Sequence, residues 1–273
     1  MKFKILLPVI VVILVLIGGI FFAIRTLGSK SAETVEKELT NIVLPIDQRP
    51  YLFLIPSQEG KAVRCTGQAL PKDTAIRMQV VYETDNVQQG FFCEIAANLE
   101  SGSYDREQIL GTCSKGVCKY DRNVEFGEVT NEIVSTTNEY ETLTQVHFQK
   151  ANRGALVLIS KDKNYTLEIP TGNILKLTNF ITMQTSGMPK PYEGNTLIDQ
   201  PVGFFSDNLQ TLQTPAKLTI TLDSSPANAK IIGFDPLASE WKEFETTFDS
   251  ATKQATAEVN LLSSYIVIDK QFQ

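Results

Sequence analysis

Beyond Leu39 the chain alternates. The runs "AIRMQVVY", "FFCEIA", "LTQVHF", "KLTITL", "ATAEV" and "YIVID" place apolar and polar residues at period two, with glycine, proline or serine-rich breaks between them. Period two sends successive side chains to opposite faces of an extended strand, so each run suits a half-buried strand and none suits a helix of period 3.6. Many short strands with turn signals between them predict an all-β fold, a sandwich or a barrel. No helical periodicity, near-exact repeat or low-complexity tract follows Leu39.

The exception is the start. Ile5 to Ile24, "ILLPVIVVILVLIGGIFFAI", carries no charge. Twenty residues rising about 1.5 Å each make a helix of roughly 30 Å, the thickness of a bilayer's hydrocarbon core. A cleaved signal peptide has a shorter apolar stretch and a small-residue cleavage site, and "RTLGSKSAE" offers no such site. The run therefore reads as an uncleaved signal anchor. Basic residues balance across it, Lys2 and Lys4 before and Arg25 and Lys30 after, so charge does not set the orientation. The short leading tail and the cysteines favour an extracytoplasmic bulk.

This gives an expected organisation: residues 1–4 as a cytoplasmic tail, 5–24 as the membrane span, and 25–49 as a stalk. In the stalk "SAETVEKEL" is a short helix with Ser31 as N-cap. Some 240 further residues suit two β-sandwich domains better than one, here 50–165 and 166–273. Of 25 basic residues the four named above precede Glu33, the first acid, which leaves 21 against 31 acidic residues outside the span. Such a surface repels nucleic acid and other polyanions, so the partners expected are the membrane, through 5–24, and a protein or glycan at the cell surface.

Four cysteines in an extracytoplasmic chain read as disulfides with three possible connectivities. Cys113 and Cys118 bracket Ser-Lys-Gly-Val, where Gly116 can supply a positive φ for a tight hairpin loop, so a bridge across that loop is the simplest pairing. Closing so short a loop stabilises by roughly 2 kcal/mol. Cys65 and Cys93 each lie on an apolar strand face, and a bridge between them would staple a core. The rival readings fit less well: a redox centre usually has Cys-x-x-Cys spacing, and a structural zinc site needs paired cysteine and histidine motifs.

The pattern Val63…Gly67-Gln-Ala69-Leu-Pro71…Ile76-x-Met78-x-Val80 resembles the opening hairpin of bacterial immunoglobulin-like modules, and Leu99–Tyr104, "LESGSY", resembles their later turn with Ser101 in place of the usual aspartate. From Thr214, inward-alternating Leu218, Ile220 and Leu222, a returning "KIIGFD", a loop ending at Trp241 and a closing "LSSYIV" resemble the β-sandwich module of ankyrins and netrin receptors. Leu262-Ser263 stands there in place of His-Phe. Both resemblances imply β-sandwich scaffolds that act as spacers or binding modules, and neither implies a specific ligand.

A catalytic constellation is not visible. His147 is the sole histidine, and its neighbours Val146 and Phe148 would face a core, which sends His147 to solvent. Without a second imidazole, a nucleophile elbow, a phosphate loop or a calcium loop, no cofactor or enzymatic role is expected. The function expected is a non-catalytic, membrane-anchored adhesion, scaffold or envelope protein, with a glycan- or peptidoglycan-binding module as the first alternative and an enzyme of unknown class as the second. The candidate patch is the 186–203 loop with Met188 and Tyr192, joined by the aromatics Phe204, Phe205 and Trp241, although Trp241 suits a packing role better than a ligand platform.

Overall fold

The alternating runs become strands, interrupted among the described residues by turns and by two single-turn 3-10 segments, Ile46–Gln48 and Gln58–Gly60. The computed structural model describes residues 40–41, 44–85, 87–95, 102–136, 138–151, 156–170, 178–193 and 196–270. The expected span 5–24, the stalk helix and the first part of the Leu99–Tyr104 turn lie outside the described residues. Among the described residues no helix is long and apolar enough to cross a membrane.

Strand β1 (Thr40–Asn41) runs parallel to a later strand, and β2 (Tyr51–Ser57) turns back into β3 (Ala62–Gln68). A hairpin follows, β4 (Ala75–Glu83) with β5 (Gln88–Ile95), and β6 (Tyr104–Ile109) then returns to pair with β3. A separate ribbon, β7 (Gly111–Ser114) and β8 (Val117–Tyr120), pairs only with itself. The long hairpin β9 (Phe126–Val134) and β10 (Asn138–Lys150) precedes β11 (Leu156–Ile159) and β12 (Tyr165–Ile169). Next come β13 (Asn179–Gln184), β14 (Thr196–Leu197), β15 (Val202–Ser206) and β16 (Thr211–Thr221). The chain closes with β17 (Ala229–Asp235), β18 (Glu240–Glu243), β19 (Thr246–Asp249), β20 (Gln254–Leu261) and β21 (Ser264–Asp269).

One sheet runs through the whole array in the order β18-β17-β21-β15-β13-β10-β9-β4-β5, with β1 and β14 as side branches. A three-stranded sheet, β2-β3-β6, and a five-stranded sheet, β11-β12-β16-β20-β19, cover parts of it. Strand alternation shows that they cover opposite faces. On β13, Ile181 packs into the core beneath the three-stranded sheet while Phe180 packs into the other; on β15, Phe205 and Phe204 divide the same way. The first core sets Leu52, Leu54 and Val63 against Ile76, Met78 and Val80. The second sets Leu167, Leu218 and Ile220 against Phe204, Ile231 and Tyr265. Each is a sandwich in cross-section, so the all-β expectation holds, with the alternating positions inward as the sequence indicated.

The expected division at 165/166 falls inside β12, and β10 ladders directly onto β13 from Val146↔Met183 to Lys150↔Asn179. Thr40–Gln273 holds together as one unit. Composition marks no break here because a backbone ladder continues between any two extended segments, whatever their side chains. The solvent-facing expectation for His147 is corrected. It does point away from Val146, but that face is covered by β11, and His147 is 7% exposed. Gln149 holds β11 in place: its amide donates to the Val157 carbonyl at 2.9 Å and accepts from the Ile159 N–H at 2.9 Å, as a neighbouring strand would.

Candidate functional site

A groove of about 1050 Å³ lies between the three-stranded sheet and the turns that follow β15 and β17. Its first wall is the outer face of β2-β3-β6, and strand register sets the wall's chemistry in rows. Phe53, Thr66 and Asp105 stand side by side across the three strands, and so do Ile55, Arg64 and Glu107. The wall is apolar at its base on β2, hydrogen-bonding in the middle on β3, and carboxylate-bearing at the top on β6. Arg64 lies 3.5 Å from Asp105, and the Gln58 amide donates to Glu107.

Aromatic rings make the floor. Phe53 stacks on Phe205 with centroids 4.6 Å apart, and Tyr51 lies 4.4 Å from Phe53. The Phe205 ring covers Gly203, where a Cβ would sit 2.2 Å from Cε2, so that position has room for glycine alone. The Tyr51 hydroxyl and Ser264 Oγ share a hydrogen bond of 2.7 Å, and burial raises the Tyr51 pKa, which keeps the phenol protonated. The opposite wall is a pair of side-chain-locked turns. Ser206 Oγ accepts from the Asn208 and Leu209 N–H groups at 3.2 and 3.1 Å, and Asp235 Oδ1 accepts from Leu237 and Ala238 at 3.0 and 3.2 Å. The second lock holds Leu237 outward on the rim, 75% exposed.

Two hydroxyls on the first wall, Ser57 Oγ and Thr66 Oγ1, are buried without a hydrogen-bond partner among the described residues. The groove's charge is net negative: Glu59, Asp105, Glu107 and Asp207 line it with Arg64, and Lys61 lies 3.7 Å from Glu59. Asp207 is partly engaged, accepting from Asn179 Nδ2 at 2.8 Å.

A second cavity, about 800 Å³, opens beside His147. The imidazole stacks on Phe126 at 4.4 Å, Nδ1 meets the Ile159 carbonyl, and Nε2 lies 3.9 Å from Glu125. With Nδ1–H donating to that carbonyl, Nε2 is the ring's acceptor. Burial lowers the His147 pKa, and the Ile159 carbonyl and Glu125 only partly oppose it, so the ring is neutral at pH 7. Among the described residues, the side chains lining this cavity include no serine, threonine, cysteine or tyrosine, and its titratable groups besides His147 are carboxylates, Arg122 and Lys150.

All four cysteines are paired as the simplest reading expected. Cys65–Cys93 joins β3 to β5 across the first core with both residues at 0% exposure, and Cys113–Cys118 closes the β7–β8 ribbon. The ribbon turns on Lys115 (φ 50°) and Gly116 (φ 81°), two successive left-handed residues of the kind that a tight hairpin requires.

The candidate patch is divided. Met188, Tyr192 and Trp241 do meet, but as a satellite cluster over Ile232, Ile266 and Ile268. Tyr192 stands edge-on to Trp241 at 6.2 Å, and the indole N–H donates to the Lys190 carbonyl at 2.8 Å, tying the 186–193 segment to β18. Met188 is 4% exposed, and Phe204 and Phe205 are consumed by cores on opposite faces. The sequence reasoning missed the groove. Its one local signal was Tyr51–Ile55, apolar on both strand faces, which marks a strand packed from both sides.

No family model, curated protein or solved structure matches the chain.

Proposed function

We propose that this is a non-catalytic protein held at the membrane by residues 5–24, with its β-rich unit on the extracytoplasmic side, where it binds a protein partner in an adhesion, scaffold or envelope role through the groove. The observation that carries this reading is the closure of all four cysteines in two disulfides, which persist in oxidising compartments and are rare in reducing ones. The immunoglobulin-like and ankyrin/netrin-receptor-like patterns belong to the same proposal, as two scaffold modules. The glycan-binding alternative loses support, because Phe204 and Phe205 are buried and Trp241 is tied to Lys190.

The test is thiol labelling of intact cells with a membrane-impermeant maleimide, before and after reduction, followed by peptide mapping. Reaction of all four cysteines on intact cells only after reduction is the expected result. Reaction that needs lysis but no reductant would overturn both the location and the staples.

A further inference from the structure

We infer that the groove receives an extended, basic segment of a partner polypeptide, one whose lysines or arginines alternate with small apolar residues. The inference rests on the binding role proposed above and specifies what is bound. It begins with the vertical gradient of the first wall. An extended peptide sends alternate side chains to opposite sides, so a segment lying along the groove directs one set toward Ile55 and the Phe53 edge and the other toward Asp105 and Glu107. The wall spans the seven residues Tyr51–Ser57. At about 3.3 Å per residue that is roughly 23 Å, room for six or seven ligand residues.

Charge selects the sign of the ligand. Glu59 is paired with Lys61 and Asp105 with Arg64, which leaves Glu107 and Asp207 without a basic partner in the lining; this net negative charge disfavours an anionic chain and attracts a cationic one. Ring accessibility selects peptide over sugar. A sugar platform must present an aromatic face, yet Tyr51, Phe53 and Phe205 are only 3%, 5% and 6% exposed, their faces spent on one another. Leu237 supplies an apolar contact from the opposite rim, held outward by Asp235 although nothing packs on it.

The test uses the full chain in a non-ionic detergent and a fluorescein-labelled nonapeptide, Ser-Lys-Val-Lys-Val-Lys-Val-Lys-Ser, read by fluorescence anisotropy. The expected result is saturable binding that weakens as salt rises. The pair Asp105→Asn with Glu107→Gln should weaken it about tenfold, and Leu237→Ser several-fold. All three side chains are on the surface, so the variants keep the fold. A control pair of equal charge on the five-stranded sheet, Glu168→Gln with Glu258→Gln, should change affinity less than twofold. Equal weakening by the control pair would reduce the effect to general attraction to an acidic surface and overturn the inference, as would absence of binding. Equal binding of the peptide with glutamate in place of lysine would do the same. Displacement of the peptide by chitopentaose would reassign the groove to glycans. A failed titration beside the expected labelling result sinks the peptide class alone, whereas cysteines that need no reductant sink the extracytoplasmic reading whatever the peptide does.

Discussion

The two disulfides close loops of very different length, and replacing each pair with alanine should separate their roles. Cys65 and Cys93 are 28 residues apart, and the chain-entropy relation gives about 3.6 kcal/mol for a loop of that size. Both residues are fully buried, so truncation also removes packing, for a total of about 4 kcal/mol. In a unit of this size each kcal/mol shifts Tm by about 2–4 °C, so Cys65→Ala with Cys93→Ala should lower Tm by about 10 °C. Cys113 and Cys118 are five apart, worth about 2 kcal/mol by the same relation. That energy belongs to a ribbon paired only with itself, whose tip residue Val117 is 76% exposed. An isolated two-stranded ribbon is marginal without its bridge, so it should melt locally. Cys113→Ala with Cys118→Ala should therefore move Tm by less than about 2 °C while speeding trypsin cleavage at Lys115 and Lys119. Calorimetry and timed proteolysis read the two effects. Equal falls in Tm for both pairs, or the larger fall for the ribbon pair, would refute the reasoning.

Three further outcomes follow from the same contacts. Phe205→Ala should destabilise by about 3–4 kcal/mol in urea denaturation, because it removes the ring stacked on Phe53 and empties the groove floor. Tyr165→Phe should cost about 1–2 kcal/mol by the same assay, since the hydroxyl donates to Asp199 and accepts from Gln184, both at 2.9 Å. Burial holds the His147 pKa below its ordinary 6.5. Between the lowered folded value and 6.5 the unfolded chain binds more protons, so the stability of the wild-type chain should fall as pH drops below 6.5. His147→Gln should flatten that part of the profile, and an unchanged slope would show that other groups cause it.

Local physics was legible in the sequence and long-range pairing was not. Alternation is a property of one strand, so Ile76, Met78 and Val80, or Leu218 and Ile220, could be assigned inward faces without knowing their partners. The Lys115-Gly116 turn and its bridge are equally local. His147 shows where this stops: its side of β10 was read correctly, but β11 covers that side through Gln149, which no alternation encodes. Phe204 and Phe205 show the same limit. Adjacent aromatics on a strand suggest one ring on an open face, whereas a sheet with a core on each face buries both. The groove needs Tyr51–Ser57, Asp105 with Glu107, the 206–211 turn and the turn at Asp235–Ala238 to converge from four distant segments. Register and topology bring them together, and composition carries no trace of either.

The position of β21 has a consequence for how the molecule comes into being. It lies between β15 and β17, an interior strand near one end of the central sheet, and Ser264 on it bonds to Tyr51, 213 residues earlier. During synthesis, then, nearly every other strand is available before the one that joins them. Until Ser264–Asp269 emerges, β15 and β17 flank an empty slot with unsatisfied backbone edges on either side. A neighbouring molecule's newly made β21 fits that slot as well as the chain's own. Crowded nascent chains are therefore at risk of exchanging this strand, and the delay between the synthesis of β15 and that of β21 sets how long the risk lasts.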